Sequence, residues 1–325
     1  HFEGRYYFYY KQHGTLSVRF SSDAQQLPRP KEEGELPSIA LKYNNLIRSF
    51  FIPEGGNIFI DADYELLEPH IFSHVSGDEG LRDIFRKGHD FYSTIAIATE
   101  KLEGYSADKK AENYLGKVNK ILRQLAKAYS LGIPYGMSAY ALAKTLDITQ
   151  KEAQVLVDGY LNGFPNLKKW MHESEEKARY FGFIRTQTGR IRHLPKVKEI
   201  YKKFGDKIMN FRYRKTLEKK YGEDQVKMWY MDYKNGLNNA KNVQIQGLSA
   251  SIVNRAMINI MREFKDKNID AWVCGTIHDQ IIVESPVGLS EKCSEIVERN
   301  MCNVMELSVT LKAPAETGYN WRDTH

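Results

Sequence analysis

The sequence predicts an α+β protein in which an antiparallel sheet is assembled from both ends of the chain and interrupted by a long helical block. Segments rich in aromatic and β-branched residues, alternating apolar with polar, occur early and late. Between them, from about residue 71 to 195, apolar residues recur at helical spacing. At 325 residues and 42% hydrophobic the chain can bury a large core and divide into two subdomains. No internal repeat or low-complexity tract suggests another plan.

Residues 1 to 60 read as β-rich. RYYFYYKQHGTLSVRFSS (Arg5 to Ser22) alternates around a glycine, and NIFIDADYE (Asn57 to Glu65) is a strand ending in acids. Asp61 and Asp63 flank Ala62, so on a strand they share one face. In isolation such a pair is more often a solvated edge or a helix cap.

KVNKILRQLAKAYSLG (Lys117 to Gly132) predicts a helix with Arg123, Lys127 and Leu131 every fourth residue, drifting slowly around one face. Two cations projecting from one rigid element suit a polyphosphate, although an Arg/Lys stripe is commonly just solvated. Gly132, Pro134, Tyr135 and Gly136 follow at once, a costly ending for a plain surface helix, and Pro134 should end or kink it near Ser130. Further helical patterns span Thr149 to Gly182, Leu248 to Asn268 and Ser290 to Met305, and a short strand closes the chain.

GTIHDQIIVES (Gly275 to Ser285) reads as a hairpin with His278-Asp279 at its tip, where Asn-Gly or Asp-Gly is usual. Either the hairpin is longer than it looks or the pair serves something else; a lone His-Asp is most often a surface Asx turn. With Asp63, Asp279 becomes a candidate site for a divalent cation, since Mg²⁺ takes oxygen ligands and typically uses one or two carboxylates plus substrate phosphates.

No apolar run approaches membrane length, and the first residues lack a charged segment followed by an apolar one, so the chain neither spans a membrane nor looks secreted. Cys274, Cys293 and Cys302 form an odd set without metal-ligand spacing, which fits a reducing compartment. The net charge of +6 and pI of about 8.9 suggest a polyanionic partner.

Taken in order, the three segments resemble the three polymerase motifs of the family-A DNA polymerases, the bacterial DNA polymerase I family and its phage relatives. SVRFSS resembles that family's Arg-Leu-Ser-Ser segment, IRSFFIPE the lead-in to its first motif and TGRIRHLP its Gly-Arg-Arg-x-x-x-Pro stretch. NVQIQGLSASIVNRAM is similar to its Asn-x-x-x-Gln-Gly helix, and GYNW to its C-terminal end. The resemblance implies a right-hand polymerase, with a palm from residues 1–70 and 237–325 and helical fingers from 71–236. The absence of an initiator Met, and a start that matches the end of the family's thumb, put the thumb and any proofreading region outside this chain.

The implied activity is template-directed addition of dNTPs to a primer 3′-OH, with release of pyrophosphate, assisted by two Mg²⁺ ions that Mn²⁺ can replace. The resemblance assigns metal binding to Asp63, Asp279 and the carbonyl of Tyr64. It assigns triphosphate binding to Arg123 and Lys127, with Lys127 also protonating the departing pyrophosphate. Tyr135 matches the aromatic residue beside the templating base, and Glu68 the side chain that closes the space of a ribose 2′-hydroxyl. Arg19, Asn242 and Gln246 match residues that touch the primer–template minor groove, and His278 would hold backbone at the hairpin. The implied partners are primer–template DNA and dNTPs, with an upstream thumb or exonuclease region or other replication proteins, and no membrane. The implied location is the cytoplasm of a bacterial or phage-infected cell.

The chain also departs from its family. It has His-Asp-Gln where His-Asp-Glu is usual, so Gln280 adds no charge. Leu131 replaces an aromatic residue, His70 an arginine, and Tyr92 a phosphate-contacting histidine, which predicts weaker triphosphate binding. Tyr201 to Gly236 looks inserted or lengthened, either to contact DNA or as a solvated helical excursion. Glu68 argues against a single-subunit RNA polymerase. The presence of Asp63, Asp279 and Lys127 argues against a catalytically silent nucleic-acid-binding relative.

Overall fold

The computed structural model describes residues 4–12, 14–15, 19–28 and 37–324. In chain order come the two-residue strands β1 (Tyr10–Lys11) and β2 (Ser21–Ser22), helix α1 (Ser38–Ile47) and strand β3 (Asn57–Asp63). Helices α2 (Leu67–Ser76), α3 (Glu79–Arg86), α4 (Phe91–Glu100), α5 (Leu115–Val118), α6 (Lys120–Gly132), α7 (Ala139–Leu146), α8 (Gln150–Gly163) and α9 (Pro165–Phe181) follow. After strands β4 (Phe183–Arg185) and β5 (Ile191–His193) come helices α10 (Pro195–Phe204), α11 (Phe211–Tyr221) and α12 (Glu223–Asp266). Strands β6 (Trp272–Ile277) and β7 (Gln280–Pro286), helix α13 (Ser290–Cys302) and strand β8 (Ala315–Gly318) complete the chain. The fold is mixed, with helices predominating and every strand pairing antiparallel.

The chain forms two compact units, His1–Leu67 with Ser249–His325, and Glu68–Leu248. The first contains a four-stranded sheet in the order β6-β7-β3-β8. As an inner strand, β3 is buried continuously from Ile58 to Ala62, because both faces of the sheet are covered. On one face Phe59 joins Ile282, Trp321 and Ala24 in an apolar cluster. On the other, Ser285, paired with Ile58, meets the Cys293 thiol of α13. The hydroxyl of Tyr10 fixes β6 by accepting from the Thr276 N–H at 3.0 Å and donating to its carbonyl at 3.2 Å.

The described part of residues 1 to 60 is less β-rich than the alternation predicts. Among the described residues two pairs join β1 to β2, part of the intervening segment (His13 and Leu16 to Val18) lies outside them, and SIALKYNNLI forms α1. That decapeptide lacks period-two alternation, and its Ala, Leu and Lys favour helix.

The second unit is mainly helical. α6 runs to Gly132, two residues past the expected stop, because the amide that Pro134 lacks is the one that would reach the carbonyl of Ser130. The last helical bond is therefore Ile133 N–H to Tyr129 O at 2.9 Å, and the orphaned Ser130 carbonyl accepts from the Tyr160 hydroxyl at 3.4 Å. The helical pattern from Thr149 to Gly182 divides at Phe164, where Pro165 opens α9 at its first position. Tyr201–Gly236 packs its own apolar layer, in which Ile208, Leu217, Val226 and Tyr233 join Val197 and Leu237.

Candidate active site

The hairpin that carries His278-Asp279 is as short as the sequence suggests. Ile277 pairs directly with Gln280, which leaves a two-residue loop. His278 adopts φ +56° to close it. That left-handed conformation costs a side chain about 1–2 kcal/mol and is ordinarily given to glycine.

The register of β7 on β3 brings the loop to the end of β3. Asp63 pairs with Gln280, and the Tyr64 N–H approaches the Asp279 carbonyl at 3.5 Å. Asp63, the backbone at Tyr64 and Asp279 are thus neighbours along the chain pairing. All are hard oxygen donors, and two carboxylates with a carbonyl suit Mg²⁺, which relies on substrate phosphates for further ligands. Among the described residues no group of three or more His, Cys, Asp or Glu stands ready to hold a metal ion. The Tyr64 side chain points away from this role: it is buried and its hydroxyl donates to the Met301 carbonyl at 2.9 Å.

Asp61 shares the β3 face of Asp63 but has a different occupation. It is buried, and its Oδ2 accepts from Gln280 Nε2 at 2.5 Å, Thr324 Oγ1 at 3.0 Å and Trp321 Nε1 at 3.2 Å. Burial pushes its carboxyl up to about 6, opposed by these hydrogen bonds and by the charge of Arg48. Arg48, buried as well, lies 4.2 Å over the Trp321 ring. Arg19 and His278 line one small pocket with Asn254 and Thr276, and Arg19 Nη2 donates to Ser249 Oγ at 2.9 Å.

In the second unit, Lys127, Leu131 and Tyr135 line an open groove of about 740 Å³, with Asn238 of α12 on its wall. Gly136 is required there: its φ is +87°, and a Cβ would collide with the Asn238 amide. The Tyr135 hydroxyl donates to Glu68, joining two residues that the sequence places 67 positions apart. His70 is buried and lies against Phe85, ring centroids 3.8 Å apart and the planes tilted by 31°. Asn242 and Gln246 lie on the α12 segment of this unit, both half-buried.

Arg123 has a partner that sequence reasoning missed. Its Nε and Nη2 bind Asp90 in a fork, at 2.9 and 2.8 Å. Asp90 also caps α4, accepting from the Ser93 N–H at 2.9 Å and Oγ at 2.7 Å. Burial pushes the Asp90 carboxyl upward, but the Arg123 and Ser93 hydrogen bonds prevail and hold it below the ordinary value. Both cations lie over Tyr92, with Arg123 Cζ 5.3 Å and Lys127 Nζ 6.0 Å from the ring centroid. The fork uses two of five N–H donors, so the guanidinium is oriented without being exhausted. Asp90-x-x-Ser93 before an apolar run signals a helix cap in sequence, but nothing in it points to Arg123.

The model of the family described as "DNA polymerase family A" matches residues 2–323. The chain is 30% identical over 323 residues to DNA polymerase I of Caldicellulosiruptor bescii, covering 99% of itself and 32% of that protein. It is 29% identical over 322 residues to DNA polymerase I of Lactococcus lactis, covering 98% of itself and 31% of the relative. It therefore spans about a third of the length of these relatives. A solved structure described as the POL domain of Pol1 from M. smegmatis in complex with DNA primer-template and dNTP superposes with a TM-score of 0.77 at 26% identity, covering 99% of this chain and 49% of that one. With a family model matching nearly end to end, the chain belongs to DNA polymerase family A.

Proposed function

We propose that this chain is the palm and fingers core of a template-directed DNA polymerase that adds dNTPs to a primer 3′-OH. The observation that carries the reading is the convergence of Asp63, the Tyr64 backbone and Asp279 at one end of the sheet, from the end of β3 and a hairpin loop far apart in sequence. In this reading the first unit is palm and the second fingers. Asp63, Asp279 and the Tyr64 carbonyl would hold Mg²⁺, which when bound acts as a Lewis acid on the attacking and leaving oxygens.

The remaining roles fall to protein groups. Arg123, oriented by Asp90, offers its unused donors to the triphosphate. Lys127, one turn further along α6, places a movable ammonium where it neutralises the departing pyrophosphate and gives it a proton. Glu68, held by the Tyr135 phenol, fills the volume that a ribose 2′-hydroxyl would need, and the Tyr135 ring borders the templating base. Arg19 and His278 contact the primer–template from the first unit, and Asn242 and Gln246 from the second. Their targets are minor-groove acceptors common to all base pairs, which report correct pairing without sequence preference.

The test is primer extension on a DNA template with dNTPs or rNTPs. Asp63→Ala and Asp279→Ala should each abolish extension while leaving most DNA affinity, since phosphate contacts elsewhere supply binding. Near-parent extension by either variant sinks the assignment, and a preference for rNTPs would favour an RNA polymerase.

A further inference from the structure

The chain's positive charge is concentrated. Between Tyr201 and Gly236 ten Lys and Arg stand against five Asp and Glu, a net +5 in a chain of net +6. We propose that this helical insertion is a binding surface for single-stranded nucleic acid, and that the strand it takes is unpaired template approaching the Tyr135 groove. The naming of that strand as template rests on the polymerase reading; the binding surface does not.

α11 is its centre. Leu217 is buried against Ile208, Val226 and Tyr233, which fixes the helix and turns the opposite side to solvent. That side carries Phe211, 63% exposed, with Arg212, Lys215 and Lys219 all exposed. The four fall at i, i+1, i+4 and i+8 and so form one stripe. Arg212 and Lys219 have no ion-pair partner among the described residues, and Lys215 shares only Glu218 of the same helix, at 2.7 Å.

A merely solvated helix has no use for a phenyl ring in water among cations. Lys215 Nζ lies 5.6 Å from the Phe211 ring centroid, so the ring and the charge present one composite face. An aromatic face beside cations is what an unpaired strand needs, because its bases offer π-faces for stacking and its phosphates offer charge. A duplex could use only the charge.

Continuity with the groove supplies the direction. α12 leaves the insertion through Lys234 and one turn later carries Asn238 on the wall that Tyr135 lines. The same helix thus ties the insertion to the groove that Tyr135 lines, and the strand held on the insertion is read as the template that enters there.

The test is fluorescence anisotropy with labelled oligodeoxythymidylate, for the parent and for R212E/K215E/K219E. The triple variant should bind at least about tenfold more weakly, with the slope of log K against log salt shallower by about 2, at roughly 0.7 per lost phosphate contact. Phe211→Ala should weaken binding by about tenfold with the salt slope unchanged, the signature of lost stacking. The neutral triple R212Q/K215Q/K219Q, which adds no repulsion against Glu218, should show the same shallower slope. All variants should fill a single-nucleotide gap at the parent rate, since a gapped template has no free strand to hold.

Parent-like affinity and slope in the charge variants would overturn the proposal. So would an equal loss of affinity for blunt duplex, or competition by polyglutamate as strong as by oligodeoxythymidylate, which would point to an acidic protein instead. Failure of gap filling by the parent would count against the polymerase reading alone.

Discussion

Replacing Gln280 by Glu tests how the His278-Asp279 hairpin is braced. Gln280 is fully buried and its amide donates to Asp61; an ionised carboxylate there cannot. If both carboxylates stay charged, a repulsion of about 4 kcal/mol, for unit charges about 4 Å apart at an effective dielectric of about 20, adds to a lost charge-assisted hydrogen bond of about 2 kcal/mol. If instead the introduced carboxyl keeps its proton, its O–H takes over the amide's role. The cost is then that of protonating a group of solution pKa about 4.3, at about 1.4 kcal/mol per pH unit: about 5 kcal/mol near pH 8 and about 3 kcal/mol near pH 6.5. The protonated route costs less at both values. The introduced carboxyl thus has a folded pKa raised above its unfolded one, so stability falls as pH rises through this window and Gln280→Glu should recover about 2 kcal/mol between about pH 8 and 6.5. Asp61, pushed up to about 6, stays largely ionised in that range, which keeps the parent nearly flat. Urea unfolding in chelator at the two pH values measures the difference, and Asp61→Asn in the same chain should restore most of the loss by returning an amide donor. A variant as stable as the parent near pH 8, or a loss that does not change with pH, would refute the brace.

Asp90→Asn keeps a good helix cap on α4 but removes the charge that Arg123 grips, so stability should fall by about 2 kcal/mol. Because the pair holds the Asp90 carboxyl below its ordinary value, that contribution is present at neutral pH and is lost as pH falls through the lowered value. Pre-steady-state titration should show dNTP affinity weakened by about tenfold with little change in the chemical step, and a tighter complex would mean that Asp90 competes with phosphate instead of orienting Arg123. Glu68→Ala should admit rNTPs, because it empties the 2′ space and releases the Tyr135 hydroxyl; unchanged discrimination between dNTP and rNTP would reject that role. Leu131 lines the groove one turn beyond Lys127 and has no hydroxyl to stand in for a missing 3′-OH, so the parent should select against dideoxynucleotides. Leu131→Tyr should relax that selection by no more than one charge-assisted hydrogen bond, about 1.5–3 kcal/mol, measured by competition between dTTP and ddTTP.

Motif order and strand periodicity made the family and the mixed fold legible in sequence, and the pairing of β3 with the hairpin that carries Asp279. What escaped was whatever depends on side-chain pairing across long separations. Arg123 on α6 and Asp90 at the start of α4 each have a plausible local meaning, a solvated stripe and a helix cap, and only the packing of α4 on α6 makes them partners. The helical reading of Thr149 to Gly182 ran through Pro165 because the spacing of apolar residues is nearly continuous across it. The β reading of the first 60 residues gave too much weight to aromatic composition, which favours strands only where a sheet exists to pack against.

Asp61 and Asp63 show most plainly where pattern ends and packing begins. Period-two alternation puts both on one face of β3 and cannot tell them apart. Burial does: Asp61 lies beneath Trp321 and Thr324 and has three donors on a single oxygen, whereas Asp63, two residues on, is only half-buried at the last position of the strand. The enclosed carboxylate braces the sheet, and the proposed metal role falls to the one at the strand end. Gln280 links the two functions, since it pairs with Asp63 in register while its side chain grips Asp61. The unfavourable backbone of His278 follows from the same constraint. A longer loop would spare the left-handed residue, but the pairing of Ile277 with Gln280 fixes Asp279 beside Tyr64 only while the loop is two residues long, and the metal role proposed for Asp279 depends on that placement.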